Sequence, residues 1–190
     1  MRKSAPEVPI PDLQIFMGPY SQDYAKRPRM VMSEKPGASA CVSLMRPESR
    51  GRLRITEPHP RTPPHISLGF LQTDYDRSAL IKGVKRLRQI FSRAPLMRFQ
   101  PMEVFPSLKF QTDEEILQAC RMVSGSLNHM TGTCRMGTDE SAPLDVHLRV
   151  RGVANLRVAD ASIMPQITSG NTNAPTMAIG QRASEIILGA

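Results

Sequence analysis

The sequence of 190 residues predicts a mixed α/β (α+β) fold. Three short segments with the alternating or apolar pattern of strands come first along the chain. Two segments with helical spacing of their apolar residues follow, and each begins at a threonine that can cap a helix. A loop–strand–loop–helix unit comes last, and ligands of open α/β sheets bind beyond the carboxyl ends of strands. We therefore expect a binding site in the C-terminal part of the chain.

The strands are predicted from short apolar or alternating runs. In one of them, leucine and isoleucine alternate with arginine, which is the pattern of a half-buried strand. The proline-rich connection EPHPRTPPH excludes a helix or a central strand between the second and third runs. The N-terminal 39 residues are rich in proline, lysine and arginine, and their one apolar patch, PDLQIFM, receives no element. The predicted strands are Ala40–Met45, Arg52–Thr56 and Ile66–Gln72.

Two helices are predicted after the strands. The first begins near Thr73, in a Thr-x-x-Asp pattern that resembles a capping box, and Pro95 ends it. The second begins at Thr112, where a Thr-x-x-Glu pattern forms a capping box, and Gly125 closes it.

The last unit contains one strand and one helix. The strand is predicted over Leu156–Ala159, which leaves Asp160 at its carboxyl end. The helix is predicted over Ala174–Leu188, with Asn173 as its cap and Pro175 in its first turn. The positive end of this helix points at the turn before it, where an anionic ligand would be stabilised.

The chain is basic, with 25 lysines and arginines against 17 acidic residues and a formal net charge of +8. This charge makes a basic binding module a competing hypothesis. However, the sequence contains six phenylalanines, three tyrosines and no tryptophan, which leaves little for base stacking. We therefore predict no nucleic-acid partner.

The three cysteines are odd in number and form no Cys-x-x-Cys pair, as is usual for reduced thiols in a cytoplasmic protein. No segment has the layout of a signal peptide, and no apolar run approaches the roughly 18 residues of a membrane helix. The sequence therefore predicts a cytoplasmic protein without an integral membrane segment.

Two segments carry residue types suited to an active site. HMTGTCRMG begins at His129, directly after a predicted helix and before a loop of small residues. A histidine placed there can project into a cleft as a general base. The alternatives are a packed structural histidine, a nucleophile pair with Cys134, and a zinc site completed by Cys134 and His147. The nucleophile pair lacks an evident orienting residue, and the zinc site lacks closely spaced ligands, so we predict no metal.

SGNTNAPT begins at Ser169 and leads into the last predicted helix. Asn173 is expected to cap that helix, whereas Asn171 stands two residues too early to do so. Asn171 lies in a Ser-Gly-Asn turn that is expected to be tightly packed.

The stretch from Asn128 to Gly189 resembles the C-terminal part of the glucose–methanol–choline (GMC) flavoprotein oxidoreductases, which use FAD to oxidise alcohols. Three ordered motifs carry the resemblance, namely HMTGTCRMG, LRVRGVANLRVADASIMP and SGNTNAPT. The earlier segments PDLQIFM and ESRGRLRI and the first helix are more loosely similar to the substrate domain of that family. The resemblance implies a partial substrate-binding domain with an antiparallel sheet and helices over 1–124. It implies the C-terminal strand–helix part of a Rossmann-like FAD-binding domain over 125–190.

The resemblance also implies roles for individual residues. His129 would take the hydroxyl proton of a small-molecule alcohol while the substrate carbon gives hydride to the flavin, and Asn171 would hydrogen-bond the same oxygen. The residues that match cofactor-binding positions of the family are Asp160, Ala161, Asn171, Thr172, Asn173, Pro175 and Thr176.

Two departures from the family pattern shape the functional hypothesis. The sequence contains no Gly-x-Gly-x-x-Gly unit, which in the family holds the ADP part of FAD. Asn128 also stands where an aromatic residue is common. We therefore expect the C-terminal portion of a larger enzyme whose N-terminal FAD-binding half is absent and could be a partner. The alternative is a non-catalytic remnant or a half-enzyme that needs a partner chain.

Overall fold

A computed structural model describes residues 1–21, 31–34 and 36–189. These residues form helices and small antiparallel sheets, so the predicted α/β (α+β) class is confirmed. They divide into a first unit of residues 1–49 and 70–124 and a second unit of residues 50–69 and 125–190. The predicted assignment of 1–124 to substrate binding and 125–190 to the cofactor stays a prediction.

The first unit is built on one antiparallel strand pair. Strand β1 (Leu13–Gly18) pairs with β2 (Ser39–Leu44), with Leu13 opposite Leu44. The prediction of a strand at Ala40–Met45 is thus confirmed to within one residue. β1 covers most of the PDLQIFM patch, for which the sequence predicts no element, because its partner strand β2 lies far along the chain and no short turn joins the two strands.

Three helices complete the first unit, and α1 packs against both strands and against α3. Their bounds are α1 (Asp74–Phe91), α2 (Ala94–Met97) and α3 (Asp113–Val123). Apolar side chains from α1, α3 and the segment before α1 form its core: Leu71, Leu80, Ile81, Val84, Ile116 and Cys120. Burial raises the pKa of Cys120 to about 11, so this thiol is an inert core residue.

The two ends of α1 differ in how well the sequence predicts them. The Thr73 hydroxyl accepts a hydrogen bond from the Asp76 N–H at 3.2 Å, which confirms the predicted cap. The prediction that Pro95 ends this helix is wrong. The helix ends at Phe91, and Pro95 lies in the first turn of α2, where its missing N–H costs no hydrogen bond.

In α3 the predicted capping box is confirmed, but the prediction that Gly125 closes this helix is wrong. The Glu115 N–H donates to the Thr112 hydroxyl at 3.2 Å, and the Thr112 N–H donates to the Glu115 carboxylate at 2.9 Å. The helix ends at Val123, followed by Ser124 in an extended conformation, and Gly125 does not adopt the left-handed conformation of a helix-closing glycine.

The second unit contains a short strand pair, β3 (Arg52–Arg54) with β4 (His65–Ser67). The predicted strands Arg52–Thr56 and Ile66–Gln72 are thus correct in type and too long. All six paired residues are exposed, so no buried face extends the pairing beyond three residues.

The predicted strand at Leu156–Ala159 is wrong. In the described part of the chain this segment forms one isolated antiparallel bridge, between Arg149 and Arg157, and Leu156 is 48% exposed. A strand needs a paired neighbour along its length, and a single bridge does not supply one. Asp160 consequently follows a bridge rather than the end of a strand.

Helix α4 (Asn173–Leu188) closes the second unit and confirms the last predicted helix to within one residue. It ends at Gly189, which has a φ of 75° and donates its N–H to the Glu185 carbonyl. The core beneath α4 consists of Leu144, Leu148, Ile163 and Ala183, with Cys134, Met136, Val150, Val158, Ile179 and Ile186 packed around it. Within the described ranges, no helix combines the length and the apolar character needed to cross a membrane.

Candidate active site

The two predicted catalytic residues meet in the second unit. The Asn171 amide nitrogen Nδ2 donates a hydrogen bond to Nε2 of His129 at 2.9 Å. His129 is half-buried and Asn171 is exposed, so the paired atoms lie on the open side of the ring. The structure therefore brings together the histidine and the asparagine from two separate motifs.

The other nitrogen of the ring faces Thr172. The Thr172 hydroxyl lies 3.0 Å from Nδ1 of His129, and the Thr172 backbone N–H lies at 3.5 Å from the same atom. Thr172 is buried, with 6% of its surface exposed. Two consecutive residues of one turn thus hold both nitrogens of the imidazole.

Backbone pairing explains why the two motifs are neighbours. The Cys134 N–H donates to the Ser162 carbonyl at 3.1 Å, and the Met136 N–H donates to the Ile163 carbonyl at 2.9 Å. Ile163 also belongs to the core on which α4 packs. The segment after His129 and the segment before Asn171 are therefore attached to the same framework.

The local backbone around His129 turns sharply on both sides. Asn128, immediately before it, has a φ of 61°, and its N–H donates to the Ser126 hydroxyl at 2.8 Å. Gly132, three residues after it, has a φ of 87°, where an added Cβ would lie 3.4 Å from the Met164 carbonyl oxygen. The positive φ at position 132 favours glycine.

The start of α4 differs from the predicted cap. Thr172, not Asn173, occupies the N-cap position, with helical φ and ψ of −86° and −3° and no side-chain capping bond. The prediction of Asn173 as the cap is therefore wrong, because the helix already includes it. Pro175 lies in the first turn as predicted, and Thr176 donates to the Thr172 carbonyl through its N–H at 2.9 Å and its hydroxyl at 2.6 Å.

Ala161 begins a short turn of 3₁₀-helix, Ala161–Ile163, and Asp160 precedes this turn as its N-cap. The Asp160 carboxylate oxygen Oδ1 accepts from the Ser162 N–H at 2.7 Å and from the Ser162 hydroxyl at 2.5 Å. This carboxylate thus has a structural role as a cap, and its contact with a cofactor stays a prediction.

An ion pair fixes the end of the first motif. Arg135 binds the Asp139 carboxylate with two hydrogen bonds of 2.8 Å, and the Ser141 hydroxyl also donates to that carboxylate. The hydrogen bonds from Arg135 and Ser141 hold the pKa of Asp139 well below its usual range. This clamp stabilises the loop after the motif and does not touch His129.

The alternatives for Cys134 and His147 gain no geometric support. The Cys134 side chain packs around the core of the second unit, and His147 is exposed in a loop where its N–H donates to Asp145. Residues 1–21, 31–34 and 36–189 contain no group of three or more side chains arranged to hold a metal ion.

Sequence reasoning missed one member of the site. Thr172 was predicted only as a cofactor-binding residue, yet it contacts His129 across 43 positions of sequence. No local pattern signals a contact of that separation, because it depends on how the two motifs dock on their shared framework.

A family model described as GMC oxidoreductase matches residues 47–180 of this chain. The chain belongs to the GMC oxidoreductase family. The resemblance carried by the three motifs is thus confirmed.

The chain is 36% identical to an alcohol dehydrogenase (acceptor) of Pseudomonas putida, over 98% of its own length and 33% of that protein. It is 37% identical to the mitochondrial choline dehydrogenase of Mus musculus, over 98% of its own length and 31% of that protein.

Two solved structures share this fold. Pyridoxine 4-oxidase from Mesorbium loti superposes with a TM-score of 0.83 at 26% identity, covering 95% of this chain and 35% of that one. An FAD-dependent oxidoreductase from Chaetomium thermophilum superposes with a TM-score of 0.75 at 30% identity, covering 80% of this chain and 26% of that one. The chain therefore spans about a third of the length of the relatives that it matches.

Proposed function

We propose that this chain supplies the proton-accepting and substrate-orienting residues of an FAD-dependent oxidoreductase that converts an alcohol to an aldehyde or ketone. The observation that carries the proposal is the 2.9 Å contact between Nε2 of His129 and Nδ2 of Asn171 on the open side of the ring. Membership of the GMC family, with alcohol and choline dehydrogenases among its relatives, supports the reaction class.

The geometry of the pair suits one hydroxyl oxygen. An oxygen at an ordinary hydrogen-bond distance of about 2.9 Å from each nitrogen would complete a nearly equilateral triangle with them. The entering hydroxyl displaces the Asn171 amide from the single lone pair of Nε2 of His129, which accepts the hydroxyl proton, and the amide donates instead to a lone pair of the same oxygen. The asparagine thereby stabilises the negative charge that develops as the proton leaves.

Oxidation of an alcohol removes a proton from oxygen and a hydride from the adjacent carbon as the carbonyl forms. FAD, when bound, supplies the acceptor for the hydride. Of this chain's own residues, His129 accepts the proton and Asn171 orients the oxygen.

The start of α4 fits an electron-rich cofactor. Its N-cap makes no side-chain capping bond, and Asn173 and Ala174 are exposed there. Uncapped N–H groups and the positive end of a 16-residue helix favour negative charge. We propose that Asn171, Thr172, Asn173, Pro175 and Thr176 border the flavin, and that Asp160 and Ala161 contact a more distant part of FAD.

The test is a chimera in which this chain replaces the matching third of the Pseudomonas putida alcohol dehydrogenase. Flavin content is measured first, and reduction of the flavin by choline and by simple primary alcohols is then followed without oxygen. His129→Ala should retain the flavin and slow its reduction by about 10²–10⁴-fold, the usual contribution of a positioned base. His147→Ala removes an exposed histidine of the same unit and serves as the matched control.

The outcomes of this experiment separate the hypotheses. Full-rate reduction in the His129→Ala chimera would remove the histidine from the mechanism. A chimera that binds flavin but is not reduced by any alcohol would support the alternative of a non-catalytic remnant.

A further inference from the structure

We infer that the Thr172 hydroxyl holds the neutral His129 ring in the tautomer that carries its proton on Nδ1, so that Nε2 is the nitrogen that accepts a proton. Thr172 is thus a positioning residue that acts through His129. This inference rests on the proposed function, because the proton-accepting nitrogen matters only if His129 is the base.

The argument begins at Nε2. A neutral imidazole has one protonated and one unprotonated nitrogen, so the partner of each nitrogen constrains the other. Nε2 of His129 lies 2.9 Å from Nδ2 of Asn171, which is an amide nitrogen that can only donate. With the amide in this orientation Nε2 is the unprotonated nitrogen and the proton resides on Nδ1, and because the amide can turn over, the partner of Nδ1 decides between the two tautomers.

Nδ1 then requires an acceptor. The Thr172 hydroxyl, at 3.0 Å, can accept a hydrogen bond from Nδ1–H. Because Thr172 is 6% exposed, water has little access to replace this hydroxyl. On this half-buried ring, an Nδ1–H that lost its acceptor would be left without a partner at a cost in free energy.

The backbone N–H of Thr172 favours the other tautomer of His129. The Thr172 backbone N–H, at 3.5 Å from Nδ1, can only donate and so favours an unprotonated Nδ1. That distance exceeds the usual range of about 2.7–3.2 Å, so the hydroxyl prevails in the native protein. Without the hydroxyl, the backbone N–H is the remaining partner at Nδ1, and the preferred tautomer should reverse.

The tautomer with its proton on Nε2 would abolish proton acceptance by His129 while its contact with Asn171 could remain. Nε2 would carry a proton and could not take one from an alcohol. The Asn171 side chain could still pair with it by turning its amide oxygen toward Nε2, since the two amide atoms occupy similar space. The hydroxyl of one buried threonine therefore decides which nitrogen faces the substrate as a base.

The first test is spectroscopic and needs no flavin. The 190-residue chain contains four histidines, and His59, His65 and His147 are exposed, so ¹⁵N-labelled imidazoles give few signals to assign. Long-range ¹H–¹⁵N NMR reports which ring nitrogen is protonated, recorded well above the ordinary histidine pKa of about 6.5. The signal that disappears in His129→Gln is that of His129.

Two substitutions at Thr172 separate the hydroxyl from packing. Thr172→Val keeps the size and removes the hydroxyl, and Thr172→Ser keeps the hydroxyl and removes the methyl group. The wild-type chain and Thr172→Ser should show Nδ1–H, and Thr172→Val should show Nε2–H. A residue that merely fills space would be disturbed more by serine than by valine. An Nε2–H ring in the wild type, or an unchanged ring in Thr172→Val, would overturn the inference.

The second test uses the chimera with the Pseudomonas putida enzyme. Thr172→Val should lower kcat by about 10–100-fold with little change in KM, the size usual when a residue that orients a histidine is lost. Thr172→Ser should restore most of the rate. An equal loss in both variants would contradict a role for the hydroxyl. If no chimera reduces its flavin, the proposed function fails, whereas the tautomer measured by NMR stands on its own.

Discussion

At the scale of single residues, Asn171 is the most direct probe of the proposed chemistry. Its amide contacts Nε2 of His129, and it does not cap α4, whose N-cap is Thr172. Because Asn171 is one of several residues proposed to border the flavin, Asn171→Ala should retain most of the bound flavin. It should slow anaerobic flavin reduction by about 10²–10³-fold, the usual effect of losing a donor to a developing oxyanion. Gln181→Ala, an exposed amide on α4, is the matched control. Reduction at the wild-type rate would make Asn171 a residue of the turn only.

A second residue-scale feature lies in the first unit, at the buried carboxylate of Asp12. It accepts from the Ser4 N–H at 2.6 Å, the Ser4 hydroxyl at 2.5 Å and the Tyr75 hydroxyl at 2.8 Å, and it is 1% exposed. Burial raises the pKa of Asp12, but the hydrogen bonds from Ser4 and Tyr75 outweigh burial and leave this pKa below its ordinary value. Burial and the bond to Asp12 raise the pKa of Tyr75 to about 12.

The pKa shifts of Asp12 and Tyr75 define the pH range over which their hydrogen bond stabilises the fold. A depressed carboxylate pKa contributes stability above the unfolded value of about 3.9 and loses it as the pH falls through the folded pKa. A raised tyrosine pKa contributes stability below about 10, and that contribution is lost as the pH rises toward 12.

Tyr75→Phe is therefore expected to lower the free energy of unfolding by about 1.5–3 kcal/mol near neutral pH, as for a hydrogen bond to a charged group. Its difference from the wild type should shrink in strong acid and in strong base. Urea denaturation across the pH range measures this, with Tyr20→Phe, an exposed tyrosine of the same unit, as the control. A difference that does not change with pH would contradict the assignment of the bond to ionised Asp12.

The candidate catalytic residues can be predicted from the sequence, whereas contacts between residues far apart in the chain cannot. His129 and Asn171 stand out because their residue types suit proton transfer and because their motifs resemble a known family. The contact of His129 with Thr172 and the bonds of Asp12 with Tyr75 link positions 43 and 63 residues apart. Such contacts depend on tertiary packing, so no local sequence pattern predicts them.

At the scale of elements, the capping box of α3 is a local device with a measurable effect. Thr112→Ala should lower the free energy of unfolding by about 1 kcal/mol, because one N–H at the start of the helix loses its side-chain acceptor. Thr112→Ser keeps the hydroxyl and should retain nearly all of the stability. Urea denaturation of both variants provides the measurement. Equal losses in the two variants would show that the methyl group, not the cap, is responsible.

Local signals also explain which elements the sequence predicts well. The starts of α1 and α3 were predicted correctly because a cap bonds to N–H groups within three residues of itself. The strand expected at Leu156–Ala159 failed because an apolar run becomes a strand only beside a paired neighbour. The predicted cap of α4 is one residue too late because the helix already includes Asn173, and the Thr172 side chain at the N-cap position contacts His129 and makes no capping bond.

At the scale of the whole molecule, apolar side chains remain exposed on the second unit. Met177, Ile187 and Leu188 of α4 are 69%, 53% and 81% exposed. Burying a large apolar side chain is worth about 1.5–3 kcal/mol, which is a sizeable part of the 5–15 kcal/mol that typically stabilises a protein. The chain also spans about a third of the length of its relatives. We therefore expect a nucleotide-binding partner half to cover part of this helix.

Co-expression with the remaining two thirds of the Pseudomonas putida alcohol dehydrogenase tests this expectation. The two chains should purify together with bound flavin, and the melting temperature of this chain should rise by several degrees, since about 1 kcal/mol shifts Tm by roughly 2–4 °C at this size. Ile187→Glu places a charge on the apolar face and should reduce both co-purification and flavin content. Thr138→Glu adds the same charge at an exposed loop position outside α4 and should change neither. Equal effects of the two glutamates would mean that overall charge, and not burial of the apolar face, governs the association.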